Sequence, residues 1–132
     1  MHASGTFEVQ MMPQGTNDKA EGSTLGRLSL AKQFHGQLDA SSQGQMLTAV
    51  ADAQGSAGYV AIERVTGALN GRRGSFVLQH AGTMSERGVE QSVSVVPDSG
   101  AGQLAGLAGK MTIQIVDGKH LYELQYTLPD EH

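Results

Sequence analysis

Lys32, Glu63 and His80 are ionisable side chains that interrupt otherwise apolar stretches of the sequence. Groups of these types do acid–base chemistry when an apolar interior brings them together. Burial raises the pKa of a carboxylic acid, and a neighbouring imidazole or ammonium opposes that rise, so one group of the cluster can titrate near neutral pH. The same side chains can instead form a satisfied buried network that only fixes the strand register. Both interpretations require a fold that points all three toward one interior.

The turn Asn70-Gly71 determines which way Glu63 and His80 point. It predicts a type I′ β-hairpin, because both central residues of that turn need a positive φ. A two-residue loop opposes Ala61 to His80, whereas a four-residue loop opposes Glu63 directly to His80. Both registers place the same residues on one face: Tyr59, Ala61, Glu63, Val65, Phe76, Leu78 and His80. We expect this more aromatic face to be the interior.

A second turn, Asp117-Gly118, assigns Tyr122 and Tyr126 to the interior by the same argument. A two-residue loop opposes these tyrosines to Ile113 and Gly109, and the other face of the hairpin is mostly polar. On a third segment Lys32 alternates with Leu28, Leu30 and Phe34. A buried ammonium is costly when it is unpaired, so we expect Lys32 to pair with Glu63 across the interior.

Period-2 alternation recurs along the whole chain, with almost no helical periodicity. The predicted strands are Ser4–Met12, Leu25–His35, Gln37–Asp39 running on irregularly toward Met46–Asp52, Ala57–Leu69, Arg73–Met84, Val89–Val96, Gly109–Val116 and Lys119–Leu128. Polar or glycine-rich connections are expected at Pro13–Ser23, Ser41–Gly44 and Asp98–Gly109. About eight strands without helices predict one all-β domain over residues 1–132, a small closed antiparallel barrel whose closure removes the exposed edges of an open sheet.

Composition excludes several classes of protein. A formal net charge of −4 argues against nucleic acid as a partner, because phosphate binding needs a clustered basic surface. No run of 18 apolar residues and no apolar leader occur, so we expect no membrane association and a cytoplasmic location. The glycine-rich stretch 98–109 leads toward a strand rather than a helix, so a crossover loop is a better interpretation than a phosphate-binding loop.

Histidines on different segments raise the question of a metal site. His35, His80 and His120 could join Glu63 in a site with three nitrogen ligands and one oxygen ligand. However, His35 has the opposite alternation to its apolar neighbours and is expected to point outward, and no H-x-H or H-E-x-x-H pair is present. The chain also contains no cysteine. We therefore expect neither a metal nor a cofactor.

The outer face of the hairpin that carries Glu63 is itself unusually apolar, with Val60, Ile62, Val77 and Ala81 around Arg64 and Gln79. A strand that is apolar on both sides is expected to be covered on both sides. Another subunit or a folded-back loop would provide that cover. We therefore expect a homo-oligomer.

Five segments, "SGTFEV" (4–9), "LAKQFHGQL" (30–38), "AGYVAIERVTGALNGRRGSFVLQHAGTM" (57–84), "VVPDSGAGQLAGLAGKM" (95–111) and "DGKHLYELQYTLP" (117–129), resemble the bacterial DUF3224 family over nearly the whole chain. That family is similar in fold to the allene oxide cyclase barrels, which implies a small closed antiparallel barrel. The glycine-rich segment also resembles the Gly-Thr-Gly turns of cyclase and dirigent barrels, with Ser99 in place of the usual threonine. DUF3224 has no established function, so the resemblance implies a fold and no catalytic residues.

Three functions from different classes fit these observations. The first is a barrel that binds a small hydrophobic ligand, because an eight-stranded barrel can hold one such molecule where its interior side chains are small. The expected ligand-binding residues are Lys32, Tyr59, Phe76, Tyr122 and Tyr126. The second is an isomerase or cyclase that uses Glu63 and His80 as acid and base. The third is a structural oligomeric module with a filled interior and no ligand.

Overall fold

The computed structural model describes residues 1–129, and all regular structure within that range is β. The ten strands are β1 (His2–Pro13), β2 (Asp18–Ala20), β3 (Ser23–Gly36), β4 (Leu38–Ala51), β5 (Ala57–Leu69), β6 (Arg72–Ser85), β7 (Gly88–Val95), β8 (Ala101–Gly102), β9 (Ala108–Val116) and β10 (Lys119–Thr127). Nothing in residues 1–129 forms a helix of the length and apolarity that a membrane span requires.

Eight of these strands close into a ring in the order β1-β10-β9-β7-β6-β5-β4-β3, with every neighbouring pair antiparallel. The pairing of β1 with β3 seals the ring. The two shortest strands lie outside it, β2 against β3 and β8 against β6. The expectation of a closed antiparallel barrel of about eight strands is confirmed.

Both predicted hairpin turns form, and they set the inward and outward faces as expected. Asn70 and Gly71 have φ values of 46° and 86°, and Asp117 and Gly118 have 52° and 78°, so each turn has two central residues at positive φ. The register opposes Ala61 to His80, which selects the two-residue loop and rules out the four-residue loop. The second hairpin opposes the residue pairs predicted for it, including Ile113 with Tyr122 and Gly109 with Tyr126.

Strand β4 differs from the expectation, because it runs without interruption through the segment Ser41–Gly44 that was predicted to be irregular. Two serines, two glutamines and a glycine near this point weaken the strand propensity of the sequence, and pairing with β3 and β5 on both sides overrides it. Ser42 therefore points into the barrel at 2% exposure. Gly44 faces Glu63 across the β4–β5 pair, where a Cβ atom would lie 2.7 Å from that of Glu63.

One end of the barrel, which we call the closed end, is filled. The segment 96–107 crosses it and inserts Leu104 and Leu107, each 1% exposed, among inward side chains from the ring. The core there also contains Ala3, Phe7, Phe34, Leu38, Ala40, Val65, Leu69, Phe76, Leu78, Val93, Val95, Met111, Tyr122, Leu124 and Tyr126. The expected crossover loop is thus also a plug.

The opposite end, which we call the open end, lies at the turns 86–87 and 117–118 and has no comparable plug among residues 1–129. Inward positions near these turns remain exposed: Met11 is 48% exposed, Met84 45%, Val89 62% and Ile115 67%. Deeper in this half, Leu28 and Tyr59 pack against a small buried cluster of Leu30, Met46 and Ala61. Among residues 1–129, inward-facing apolar side chains are therefore left exposed at the open end, and we call this group the mouth.

The outer wall carries apolar side chains as expected, and nothing within residues 1–129 covers them. Leu47, Val60 and Ile62 are 55%, 53% and 51% exposed, and Leu47 and Val60 are direct cross-strand neighbours. A folded-back loop, one of the two covers expected from the sequence, is absent from the described residues. The other cover, a second subunit, stays a prediction.

Candidate functional site

Lys32 and Glu63 form the buried ion pair that the alternation predicts, with 3.0 Å between Lys32 Nζ and Glu63 Oε1. Their side chains are 6% and 1% exposed. The second carboxylate oxygen, Oε2, accepts a hydrogen bond of 3.0 Å from the Ser42 hydroxyl. Ser42 lies directly opposite Lys32 in the β3–β4 pair, so one register brings both donors to the carboxylate.

This cluster is satisfied rather than strained. Lys32 Nζ also lies 5.0 Å from the ring centroid of Phe7 and 5.9 Å from that of Phe34, where an aromatic face attracts a cation. No buried polar atom of a described side chain lacks a hydrogen-bond partner. A buried ion pair is retained only when its geometry is good and its remaining polar atoms are paired, and both conditions hold here.

Tyr59 and His80 form a second polar pair, which the sequence placed on one face without predicting their contact. The Tyr59 hydroxyl oxygen lies 2.6 Å from His80 Nε2, and the two rings meet edge to face with centroids 5.0 Å apart. Gly82 lies opposite Tyr59 in the β5–β6 pair, and a Cβ atom there would lie 2.6 Å from the tyrosine ring. The missing side chain at Gly82 is therefore what lets the Tyr59 ring lie against the sheet and reach His80.

Both members of this second pair are uncharged at neutral pH. Burial, together with the positive charge of Lys32, lowers the pKa of His80 from 6.5 to about 4. Burial also raises the pKa of the Tyr59 phenol above its usual value of 10.0. The pair therefore offers hydrogen bonds without charge.

Glu63 and His80 share the interior face as predicted, but the structure does not join them as an acid–base pair. Both carboxylate oxygens of Glu63 are bound by Lys32 and Ser42, and the imidazole is bound by Tyr59. The result is two neighbouring pairs, one charged and one neutral. A role for Glu63 and His80 in catalysis stays a prediction.

Three of the predicted ligand-binding residues, Phe76, Tyr122 and Tyr126, lie in the core of the closed end, at 1%, 2% and 5% exposure. The Tyr122 hydroxyl donates to the His35 carbonyl (2.9 Å) and accepts from the Leu38 amide (2.9 Å). The Tyr126 hydroxyl accepts a hydrogen bond of 2.7 Å from Asn70 Nδ2. The alternation correctly predicted that these rings point inward, but it does not indicate which end of the barrel they occupy. Their contacts there are with the protein itself.

Sequence reasoning missed Ser42 and the exposure of the apolar residues at the mouth. Ser42 could have been found by extending the alternation of Leu38 and Ala40 along β4. The mouth could not have been found in this way, because Met11, Met84, Val89 and Ile115 follow the same inward alternation as buried residues. Only the position of the plug distinguishes them.

The four residues weighed as metal ligands are not brought together. His35 points outward, where its Nε2 lies 2.8 Å from Glu8 Oε1, and the ring of His120 packs against Phe7 with centroids 5.0 Å apart. Within residues 1–129 no group of three histidine or carboxylate side chains could hold a metal ion.

Comparison with known proteins agrees with this architecture. A family model described as a protein of unknown function, DUF3224, matches residues 3–126. A solved structure of a protein with unknown function from the DUF3224 family of Shewanella oneidensis MR-1 is similar to this chain at 46% identity and a TM-score of 0.93, with 98% of each chain covered. No curated protein matches the chain. The similarity to allene oxide cyclase barrels stays a prediction. The chain thus belongs to DUF3224, a family of unknown function, as its sequence motifs predicted.

Proposed function

We propose that this protein binds a small, predominantly apolar molecule in the open end of the barrel. The observation that supports the proposal is the asymmetry of burial between the two ends. Leu104 and Leu107 fill one end, whereas inward-facing Val89 and Ile115 are 62% and 67% exposed at the other. Inward-facing apolar side chains that remain exposed, with a few polar groups deeper in the interior, favour a small-molecule site.

The driving force for binding is removal of this apolar surface from water, which contributes roughly 25 cal/mol for each Å² buried. The two polar pairs lie deeper in the interior than the mouth, so they would orient a bound ligand. Tyr59 and His80 are partly buried, and the Lys32–Glu63 pair is almost completely buried. A ligand would therefore insert its apolar part among aliphatic side chains and present any polar atom to Tyr59 and His80.

Neighbouring residues on the β9–β10 hairpin provide a matched test. Ile115 faces the mouth and Val116 faces outward, and both are exposed, at 67% and 46%. The binding of N-phenyl-1-naphthylamine, a neutral apolar probe, would be measured by its fluorescence in wild type, Ile115→Asp and Val116→Asp. We expect Ile115→Asp to weaken binding by at least roughly tenfold, because it desolvates a carboxylate in the mouth, and Val116→Asp to change it by less than about twofold.

The outer wall supplies a further control. A groove of about 720 Å³ crosses it and includes Leu47 and Val60 in its lining. If Val60→Asp abolished probe binding while Ile115→Asp did not, the probe would occupy the outer groove and the proposal would be wrong.

Catalysis by Glu63 and His80 is less well supported by the geometry. A general base must come within hydrogen-bond reach of the substrate, but the Glu63 side chain is 1% exposed and its oxygens are already bound by Lys32 and Ser42. A third function, that of an oligomeric module, is favoured by the exposed outer wall.

We propose in addition that the barrel self-associates through the apolar outer wall of β4 and β5, where Leu47, Val60 and Ile62 are each more than half exposed. Contiguous exposed apolar surface of this kind marks interaction sites. Light scattering coupled to size exclusion would compare wild type with Val60→Lys and with Thr66→Lys, an outward position on the same strand beyond the patch. We expect wild type and Thr66→Lys to be oligomers and Val60→Lys to be a monomer. A monomeric wild type would contradict this proposal without affecting ligand binding.

A further inference from the structure

The polar groups of the open half of the interior determine what kind of ligand it can take, and this inference rests on the proposed function. Lys32 and Glu63 are the two charged side chains buried among residues 1–129. Each neutralises the other at 3.0 Å, and Ser42 occupies the remaining oxygen of Glu63. The ammonium of Lys32 is therefore already paired with a carboxylate of the protein itself.

Tyr59 and His80 differ from this pair because their hydrogen bond leaves capacity for a third group. A phenol has one donor hydrogen and two acceptor lone pairs, and a neutral imidazole has one donor and one acceptor nitrogen. If the phenol donates to His80 Nε2, its oxygen can still accept a hydrogen bond. If His80 Nε2 donates instead, the phenol hydrogen remains free to be donated. Both side chains are partly exposed, so neither is sealed from solvent.

We propose that Tyr59, held by its hydrogen bond to His80, binds one neutral oxygen, a hydroxyl or a carbonyl, of an otherwise apolar ligand. A hydroxyl donates to the Tyr59 oxygen in the first arrangement, and a carbonyl accepts from the Tyr59 hydroxyl in the second. The edge-to-face packing of the rings, with centroids 5.0 Å apart, and the close approach of Gly82 hold the phenol in place for this contact.

A ligand carboxylate is disfavoured by the same arrangement. It would lose its hydration on entering the apolar mouth, and that loss is costly unless a cation compensates for it. Lys32 is the buried cation, and recruiting it would either leave Glu63 unpaired or bring a second carboxylate beside Glu63. The Tyr59–His80 pair offers no positive charge, because burial holds the pKa of His80 near 4. The site therefore discriminates against acids that have the same apolar body.

Three probes with eight carbons test this discrimination: octan-1-ol, octan-2-one and octanoate. Their affinities for the full chain would be measured by NMR chemical-shift titration at about pH 8, where octanoate is ionised and a histidine of ordinary pKa is neutral. We expect the alcohol and the ketone to bind at least roughly tenfold more tightly than octanoate. We also expect Tyr59→Phe to weaken the alcohol and the ketone by about three- to tenfold, as the loss of one hydrogen bond implies, and to leave octanoate nearly unchanged.

Tyr126→Phe is the matched control, because it removes a tyrosine hydroxyl that binds Asn70 at the closed end. It should leave all three affinities unchanged. Tighter binding of octanoate than of octan-1-ol, or an alcohol affinity insensitive to Tyr59→Phe, would overturn this inference alone. If none of the three probes shifted resonances of open-end residues, the proposed function would fail and this inference with it.

Discussion

The closed and open ends of the barrel are built from the same eight strands with the same alternation. Inward side chains are nevertheless buried at the closed end and exposed at the open end. At the closed end Leu69 and Leu124 are fully buried, whereas at the open end Ile115 is 67% exposed. The strands do not cause this difference, because they run continuously from one end to the other. The connection 96–107 causes it by placing Leu104 and Leu107 across one end. Alternation thus decides which side chains face inward, and a loop decides which of them are sealed from water.

Removal of the charge at Lys32, which lies between the two ends, is expected to have the largest effect. Lys32→Met leaves Glu63 buried without its cation, so the free energy of unfolding should fall by about 3–5 kcal/mol, as measured by urea denaturation. The double variant Lys32→Met/Glu63→Gln should regain at least half of the loss, because no buried charge remains. A cost below about 1 kcal/mol for Lys32→Met would mean that water reaches the carboxylate, and the pair would then not be sealed from the open end.

The plug itself is tested by a pair of truncations, one at each end. Leu104→Ala removes a side chain that is 1% exposed and should cost about 2–5 kcal/mol. Ile115→Ala at the mouth should change the free energy of unfolding by less than about 0.5 kcal/mol. Urea denaturation of both variants measures this contrast, and equal costs would contradict the distinction between a filled end and an open end.

The open half should also make stability depend on pH. The folded state holds the pKa of His80 at about 4, below the 6.5 of the unfolded chain, so the unfolded state binds the extra proton first. The stabilisation is present above pH 6.5 and is lost as the pH falls from 6.5 toward about 4. Because the imidazole is partly exposed, we discount the linkage to about 1–2 kcal/mol.

Unfolding in urea at several pH values would compare wild type with His80→Gln. The groups that face His80 are Tyr59, its hydrogen-bond partner, and Lys32, whose charge acts in the same direction as burial. The two curves should converge as the pH falls through this window. Parallel curves would show that His80 is solvated in the folded state and that the open half is wetter than its geometry implies.

A methyl group at Gly82 is expected to have the smallest effect on stability, about 1 kcal/mol, because the tyrosine ring it meets can move aside. Moving Tyr59 should expose the imidazole, so the pKa of His80 should rise toward its ordinary value in an NMR titration. Gly58→Ala is the control, since a Cβ atom there makes ordinary contacts of 3.7 Å and longer. If Gly82→Ala left the His80 titration unchanged, Tyr59 would not hold the imidazole in place.

Much of the fold could be predicted because two tight turns fix the register of four long strands. Asp117-Gly118 predicted the cross-strand partners of its hairpin residue by residue. Asn70-Gly71 left two registers open, and both placed Glu63, Phe76 and His80 on the inward face. The pairing of Lys32 with Glu63 followed from the cost of burying a lone ammonium. These inferences depend on local geometry and on charge, and both can be read from the sequence.

What could not be predicted depends on position along the barrel axis. Tyr122 and Tyr126 were correctly turned inward but assigned to a ligand site, because alternation does not distinguish the plugged end from the open one. The contact between Tyr59 and His80 is diagonal, and it depends on the space above Gly82 rather than on direct cross-strand pairing. Ser42 was missed because the residues around it have a weak strand propensity, and pairing with β3 and β5 is what makes them a strand.

The pairing of β1 with both β3 and β10 has a consequence for how the chain folds. Residues near the start, such as Ala3, find partners near Leu124, so the last seam joins segments separated by more than a hundred positions. Closing so long a loop costs conformational entropy before the stabilising contacts of the seam have formed. Proteins dominated by such distant pairings fold on a timescale of milliseconds to seconds. The β5–β6 hairpin, whose turn joins adjacent segments, should form early, and insertion of the first strand should complete the cylinder.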